Sequence, residues 1–232
     1  MREIVFDTET TGLDPYQGDR LVEIGCVELV NGFPTGNSFH YYLNPQRDMP
    51  DGAFQVHGLS SEFLKDKPLF ADICEEFLNF VGDAPLIAHN AMFDLGFINT
   101  ELERCKRAVL QRDRLVDTLM LARRRYPAGP NRLDDLCGRF SIDTSRRTKH
   151  GALLDAELLA EVYVELTGKR QARLSLVDEP TGITQQGIIM VVRIRTEPLL
   201  PRISAEEREA HRAFVATLGE KAIWNDYLAV SA

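Results

Sequence analysis

The sequence contains no run of about 18 apolar residues, the length a helix needs to cross a membrane. It also lacks the apolar segment of a secretion signal, since its opening, MREIVFD, passes straight into a strand pattern. A soluble, cytoplasmic protein is the expectation. Cysteine is scarce: Cys26, Cys74, Cys105 and Cys137 stand far apart with no C-x-x-C pair. That spacing argues against zinc or dithiol redox work and for reduced, structural thiols. Positive charge is in deficit, 27 Lys and Arg against 35 Asp and Glu, for a net charge of -8. Such a balance argues against a broad, sequence-independent grip on nucleic acid, which needs many phosphate contacts, while leaving room for a local basic patch. No internal repeat or low-complexity tract is present.

What the chain does have is enough apolar content, 44% of 232 residues, for one medium domain with an appendage or at most two small domains. Residues 1–168 alternate strand-like and helix-like segments. IVFDTE, LVEIGCVELV and SFHYYLNP read as successive strands of an antiparallel meander. Phe70, Ile73, Cys74, Phe77, Leu78 and Val81 form one apolar helical face that Gly82 can end. PLIAH suits a short buried strand, and Asn90 is the expected N-cap of the helix that follows. RLVDTLMLARRRY is a second junction of strand and helix, and ALLDAELLAEVYVELTG is a helix closed by Gly168. The fold class expected is α/β, a sheet flanked by helices.

Beyond Gly168 the character changes. Residues 169–203 are rich in Gly, Pro, Gln, Ser and Thr and read as a flexible tether, although GIIMVVRIRT could pair as a strand. Residues 204–232 then offer a docking segment: Ser204 with Glu207 is a capping-box pattern, and Trp224 is the chain's only tryptophan.

The chemistry begins at Asp7 and Glu9. Two residues apart on a strand, both side chains leave on the same face. Adjacent carboxylates repel, so the pair is either an exposed strand end or the holder of a cation such as a divalent metal. Two further acids favour the cation. Asp94 follows PLIAHN at a helix start, and Asp155 lies in an apolar stripe where an unpaired charge would be costly. Carboxylates without a Cys or His cluster suit Mg2+ or Mn2+. Two such ions can activate water and stabilise the leaving oxygen in a phosphoryl displacement. His150, near Asp155 in sequence, is the candidate general base.

DTETTG with Asp7 and Glu9, HNAMFD with Asp94, and HGALLDA with His150 and Asp155 together resemble the DEDDh family of 3'-to-5' exonucleases, in order and in spacing. VHGLSSEFLKDKP, NRLDDLCGRF and RRTKHGALLDAELLAEVYVELTG extend the likeness over nearly all of residues 1–168. They point to the proofreading branch that serves bacterial DNA polymerase III. The resemblance implies a ribonuclease-H-like fold with a central mixed sheet, and release of 3'-terminal nucleotides as 5'-monophosphates. It assigns Asp7, Glu9, Asp94 and Asp155 to two divalent metals, Mg2+ or Mn2+, and His150 to the role of base. Asp7, Glu9, His57 and Asp155 would touch the substrate; His89 has a weaker claim. An acid often found a few residues before His57 has no clear counterpart at Asp51 and Gly52, so that contact is not carried over. Arg146, Arg147 and Lys149, and Arg123 to Arg125, are candidates for phosphate positioning or simply a solvated charged face.

In the tail, QARLSL resembles a sliding-clamp peptide, with Gln171, Leu174 and Leu176 as its contacts. The implied partners are DNA 3' ends, the polymerase catalytic (alpha) subunit through residues 204–232 with Trp224 as anchor, the small theta subunit, and the clamp, bound weakly. Two rivals stand beside proofreading. One is a DEDDh enzyme trimming RNA, which has less need of such a tail; the other is a silent scaffold, which has less need of the full acid and histidine set.

Overall fold

The computed structural model describes residues 1–147, 149–168, 203–219 and 224. Five strands form its sheet: β1 (Arg2–Thr10), β2 (Leu21–Val30), β3 (Phe33–Tyr42), β4 (Leu86–Ala88) and β5 (Leu115–Asp117). Their order is β3-β2-β1-β4-β5. The first three run antiparallel, and β4 and β5 continue parallel to β1. Asn31 and Gly32, with φ of 55° and 83°, close the β2–β3 hairpin, where positive φ at both positions matches the twist of the strands. The expected meander and mixed sheet are both present. β3 starts earlier than SFHYY suggested, because its first six residues lie exposed at the sheet edge and carry no buried alternation.

The helices are α1 (Asp51–His57), α2 (Ser61–Leu64), α3 (Phe70–Val81), α4 (Met92–Arg104), α5 (Thr118–Arg125), α6 (Leu133–Phe140), α7 (Ala152–Thr167) and α8 (Ala205–Thr217). On one face of the sheet, Ile4, Phe6, Ile24 and Cys26 pack with Ile73 and Phe77 of α3 and Phe97 and Ile98 of α4. On the other, Val5, Leu29 and Ile87 meet Leu159, Ala160 and Tyr163 of α7. Helices α5 and α6 lean on α7 through Ala122, Leu136, Cys137, Leu158 and Val162. This is the expected α/β arrangement, a mixed sheet between helical layers. The four cysteines are free, three buried and Cys105 half-buried. Among the described residues no helix is long and apolar enough to cross a membrane.

One boundary differs from expectation. Helix α4 begins at Met92 with Ala91 at its cap position, while Asn90 adopts φ 65° and donates its backbone N–H to Asp117 Oδ1 at 3.2 Å. Asn90 therefore belongs to the tight turn leaving β4, a left-handed position that asparagine tolerates. Gly168 does end α7, in the left-handed conformation at φ 67°.

The chain divides into two compact units, Met1–Leu174 and Ser175–Ala232. In the second, the Ser204 hydroxyl accepts from the Glu207 N–H at 3.2 Å and the Glu207 carboxylate accepts from the Ser204 N–H at 2.8 Å, so the capping box is formed. The rings of His211 and Trp224 meet edge to face at 5.5 Å. Gln171, Leu174 and Leu176, and the segment GIIMVVRIRT, lie outside the described residues.

Candidate active site

The site is assembled by two meshing periodicities. Along β1 every second residue faces α7, and along α7 every fourth residue faces the sheet. Tyr163 donates its hydroxyl to Glu3 Oε1 at 2.7 Å, and Leu159 packs in one cluster with Val5. One helical step further toward the start of α7, the same stripe delivers Asp155 to Asp7 and Glu9. Close approach depends on Gly25, which pairs with Asp7 across the β1–β2 ladder. A Cβ on Gly25 would lie 2.3 Å from the Leu153 nitrogen and 2.4 Å from the Ala152 carbonyl carbon. Glycine lets the first turn of α7 rest directly on β2.

Asp94 arrives from the other side of the sheet. It lies in the first turn of α4, buried, and accepts a hydrogen bond from the Thr8 hydroxyl at 2.6 Å. Thr8 points away from Asp7 and Glu9 but shares the cleft rim with them. A cleft of about 720 Å³ is lined by Asp7, Glu9, Asp94, His150 and Asp155, with Arg123, Arg132 and Arg147 among its other walls. All four predicted carboxylates and the predicted base therefore share one cavity. Ligand atoms of Glu9, His150 and Asp155 lie within 4.8 Å of one another.

The electrostatics fit a cation site. Burial, reinforced by Asp94, Glu9 and Asp155, holds the Asp7 carboxyl well above the ordinary carboxylate range. Burial with the nearby Glu23 pushes Glu9 up to about 8. Asp94 rises to about 7 from burial, despite the opposing Thr8 hydrogen bond. Acids that resist ionisation together in an oxygen-rich cleft match a hard divalent metal, whose charge would reverse each of these penalties.

Some contributors were not anticipated. Glu23, buried on β2, stands opposite Glu9 in the ladder and is held by His40 Nε2 at 2.8 Å. Its cross-strand register was the only signal, and register cannot be read from one strand alone. Arg147 was expected to face phosphate or solvent. Its guanidinium instead grips Asp155, Nε to Oδ1 at 2.5 Å and Nη2 to Oδ2 at 2.7 Å. Arg146 pairs with Glu157 at 3.5 Å on the surface, and Lys149 lies over the Phe54 ring at 5.3 Å. Asp117 at the end of β5 caps α5 by accepting from the Leu119 N–H at 2.9 Å.

His57 does not line the cleft. It is buried at the end of α1, and its Nδ1 accepts from the Leu59 N–H at 3.0 Å. Burial lowers its basicity, opposed by a backbone contact from Thr10. His89 does line the cleft, with Nδ1 held by the Thr118 hydroxyl at 2.9 Å. Asp51 opens α1 in an exposed position.

Comparison with known proteins adds the following. Residues 4–163 match the family model described as Exonuclease (RNase_T). The chain is 49% identical over 223 residues to DNA polymerase III subunit epsilon of Rickettsia felis, covering 94% of this chain and 97% of that one. With the protein of the same description from Escherichia coli K12 it shares 42% over 236 residues, covering 96% and 97%. The fold resembles that of exonuclease X in complex with 5' overhanging duplex DNA (TM-score 0.57, 23% identity, 72% of this chain and 90% of that one). It also resembles the nuclease domain of 3'hExo, a DEDDh family member, bound to rAMP (TM-score 0.61, 14% identity, 72% and 92%).

Proposed function

Because the chain belongs to the exonuclease family and, within it, to the DNA polymerase III epsilon subunits, we propose that it removes mispaired 3'-terminal nucleotides as 5'-monophosphates for a bacterial replicase. The observation that carries the mechanism is the convergence of Asp7, Glu9, Asp94, Asp155 and His150 on one cleft. The four carboxylates would hold two divalent ions, Mg2+ or Mn2+. When bound, the ions supply the positive charge that acidifies water and offsets charge on the leaving oxygen.

The protein's own groups do the rest. His150, 47% exposed at its side chain, faces the cleft where a water's proton can be accepted. Asp155 Oδ2, 3.1 Å from His150 Nδ1, orients the imidazole. Arg123 and Arg132 on the cleft wall are placed to meet backbone phosphates. His57, buried at the end of α1 with a backbone contact from Thr10, keeps its proposed place at the 3' terminus beside Asp7, Glu9 and Asp155 on the family resemblance alone. A frayed end reaches such a cleft at lower unpairing cost than a paired one, and that difference selects mispairs.

Residues 204–232, with α8 and Trp224, serve as the docking segment for the polymerase alpha subunit; Gln171, Leu174 and Leu176 provide the weak clamp contact. A theta subunit is a further partner, and the setting is the cytoplasm. Tethering accounts for the net charge of -8: at high effective concentration beside a polymerase, the nuclease needs little grip of its own.

The test incubates the protein with 3'-paired DNA, 3'-mispaired DNA and RNA in Mg2+, Mn2+ or chelator. Metal-dependent, mispair-biased release of monophosphates is expected, and a preference for RNA would count against proofreading. Asp7→Ala and His150→Ala should each lose about 100-fold or more while keeping the wild-type circular dichroism spectrum. Equal activity in those variants would sink the assignment of roles.

A further inference from the structure

Resting on the metal-dependent reading above, we propose that Arg147 is the resident cation of the cleft, a positioning residue that occupies Asp155 until a divalent metal displaces it. Both oxygens of Asp155 are engaged by the guanidinium, at 2.5 and 2.7 Å. The pair is shielded: the side chains of Arg147 and Asp155 are 9% and 4% exposed. The other arm, Nη1, reaches Asp134 Oδ1, a carboxylate at the rim of the same cleft. Arg147 is therefore tethered at both ends.

A divalent ion brought to Asp155 would sit against this guanidinium, and two like charges at that range in a buried site repel strongly. Binding at Asp155 is thus an exchange of cations. The displaced guanidinium stays on its Asp134 tether inside the cleft, where an incoming phosphate can receive it.

The same exchange sets the imidazole. Arg147 Nη2 lies 2.7 Å from His150 Nδ1, and Asp155 Oδ2 lies 3.1 Å from that same nitrogen. Nδ1 can accept from the guanidinium or donate to the carboxylate, one at a time. While Arg147 is docked and donates to Nδ1, the imidazole proton is on Nε2. Once Arg147 leaves, Nδ1–H can donate to Asp155, and the Nε2 lone pair becomes free to take a proton from water.

Mn2+ binding to the full chain, without nucleic acid, tests this by calorimetry and by loss of the free-ion paramagnetic resonance signal. Arg147→Gln should bind Mn2+ on the order of tenfold more tightly than wild type, the scale on which a neighbouring like charge acts. It should also melt lower in chelator and recover stability when Mn2+ is added. Arg147→Lys should fall between the two, since an ammonium keeps the charge but not the fork. Unchanged or weaker Mn2+ affinity in a folded Arg147→Gln overturns the proposal. If that variant does not fold in chelator, unchanged or weaker Mn2+ affinity in a folded Arg147→Lys overturns it instead. Failure of the wild type to bind Mn2+ at all would overturn the metal-dependent reading beneath it.

Discussion

Glu9 and Asp94 keep their protons to about pH 8 and about pH 7 respectively, where exposed acids would have ionised. The folded chain then binds more protons than the unfolded one across that interval, so stability must fall as pH rises. The contribution of Glu9 is complete below its ordinary value of 4.5 and gone above about 8; that of Asp94 runs from 3.8 to about 7. In chelator, the melting temperature should therefore decline from about pH 5 to about pH 8.5. Mn2+ should flatten that decline by stabilising the ionised carboxylates, and Glu9→Gln, which has no charge to bury, should flatten it in part. Thermal melts in buffers of matched ionic strength provide the check. A rise across the range in chelator would mean that the acids are not mutually destabilising. At this scale the site was largely legible: the spacing of Asp7 and Glu9 and the misplaced charge of Asp155 are visible in the sequence. Glu23 and the grip of Arg147 on Asp155 were not, because each is defined by a partner on a different element.

The elements work through fit between β1 and α7. Glu3, Val5, Asp7 and Glu9 share a face by the period of two, and Asp155, Leu159 and Tyr163 share one by steps of four. The two rows meet only if the helix can lie flat on the sheet, and Gly25 permits it. Gly25→Ala should destabilise the chain by about 1–3 kcal/mol, the usual scale for forcing atoms into packed space. It should also weaken Mn2+ binding, because α7 must retreat and carry Asp155 with it. Gly138→Ala in α6 is the control, since a Cβ there meets nothing within 4 Å; it should be neutral or stabilising by up to about 1 kcal/mol. Urea denaturation of both variants separates the cases, and equal stability would refute the close-contact argument. Helices with long apolar stripes, α3 and α7, could be read in advance. The short α1, α2 and α6 could not, because one or two turns hold too few residues to establish a period.

At the scale of the whole molecule, the unit Met1–Leu174 contains the sheet, both helical layers and every residue assigned to the cleft. A chain ending at Leu174 should melt as one cooperative transition and degrade a single-stranded 3' end as fast as the full chain. It should no longer be retained by the polymerase alpha subunit in gel filtration. Loss of nuclease activity would show that the second unit contributes to the site; retention by the polymerase would move the docking surface elsewhere. By itself, the sequence determined the set of acids, their attachment to strand and helix termini, and so the kind of chemistry available, because periods of 2 and 3.6 are properties of single elements. Tertiary structure alone decided that Asp94 joins from the opposite face through Thr8, that Glu23 stands against Glu9, and that Arg147 fills Asp155. Those outcomes depend on how closely separate elements approach, and that distance is set by packing at places such as Gly25.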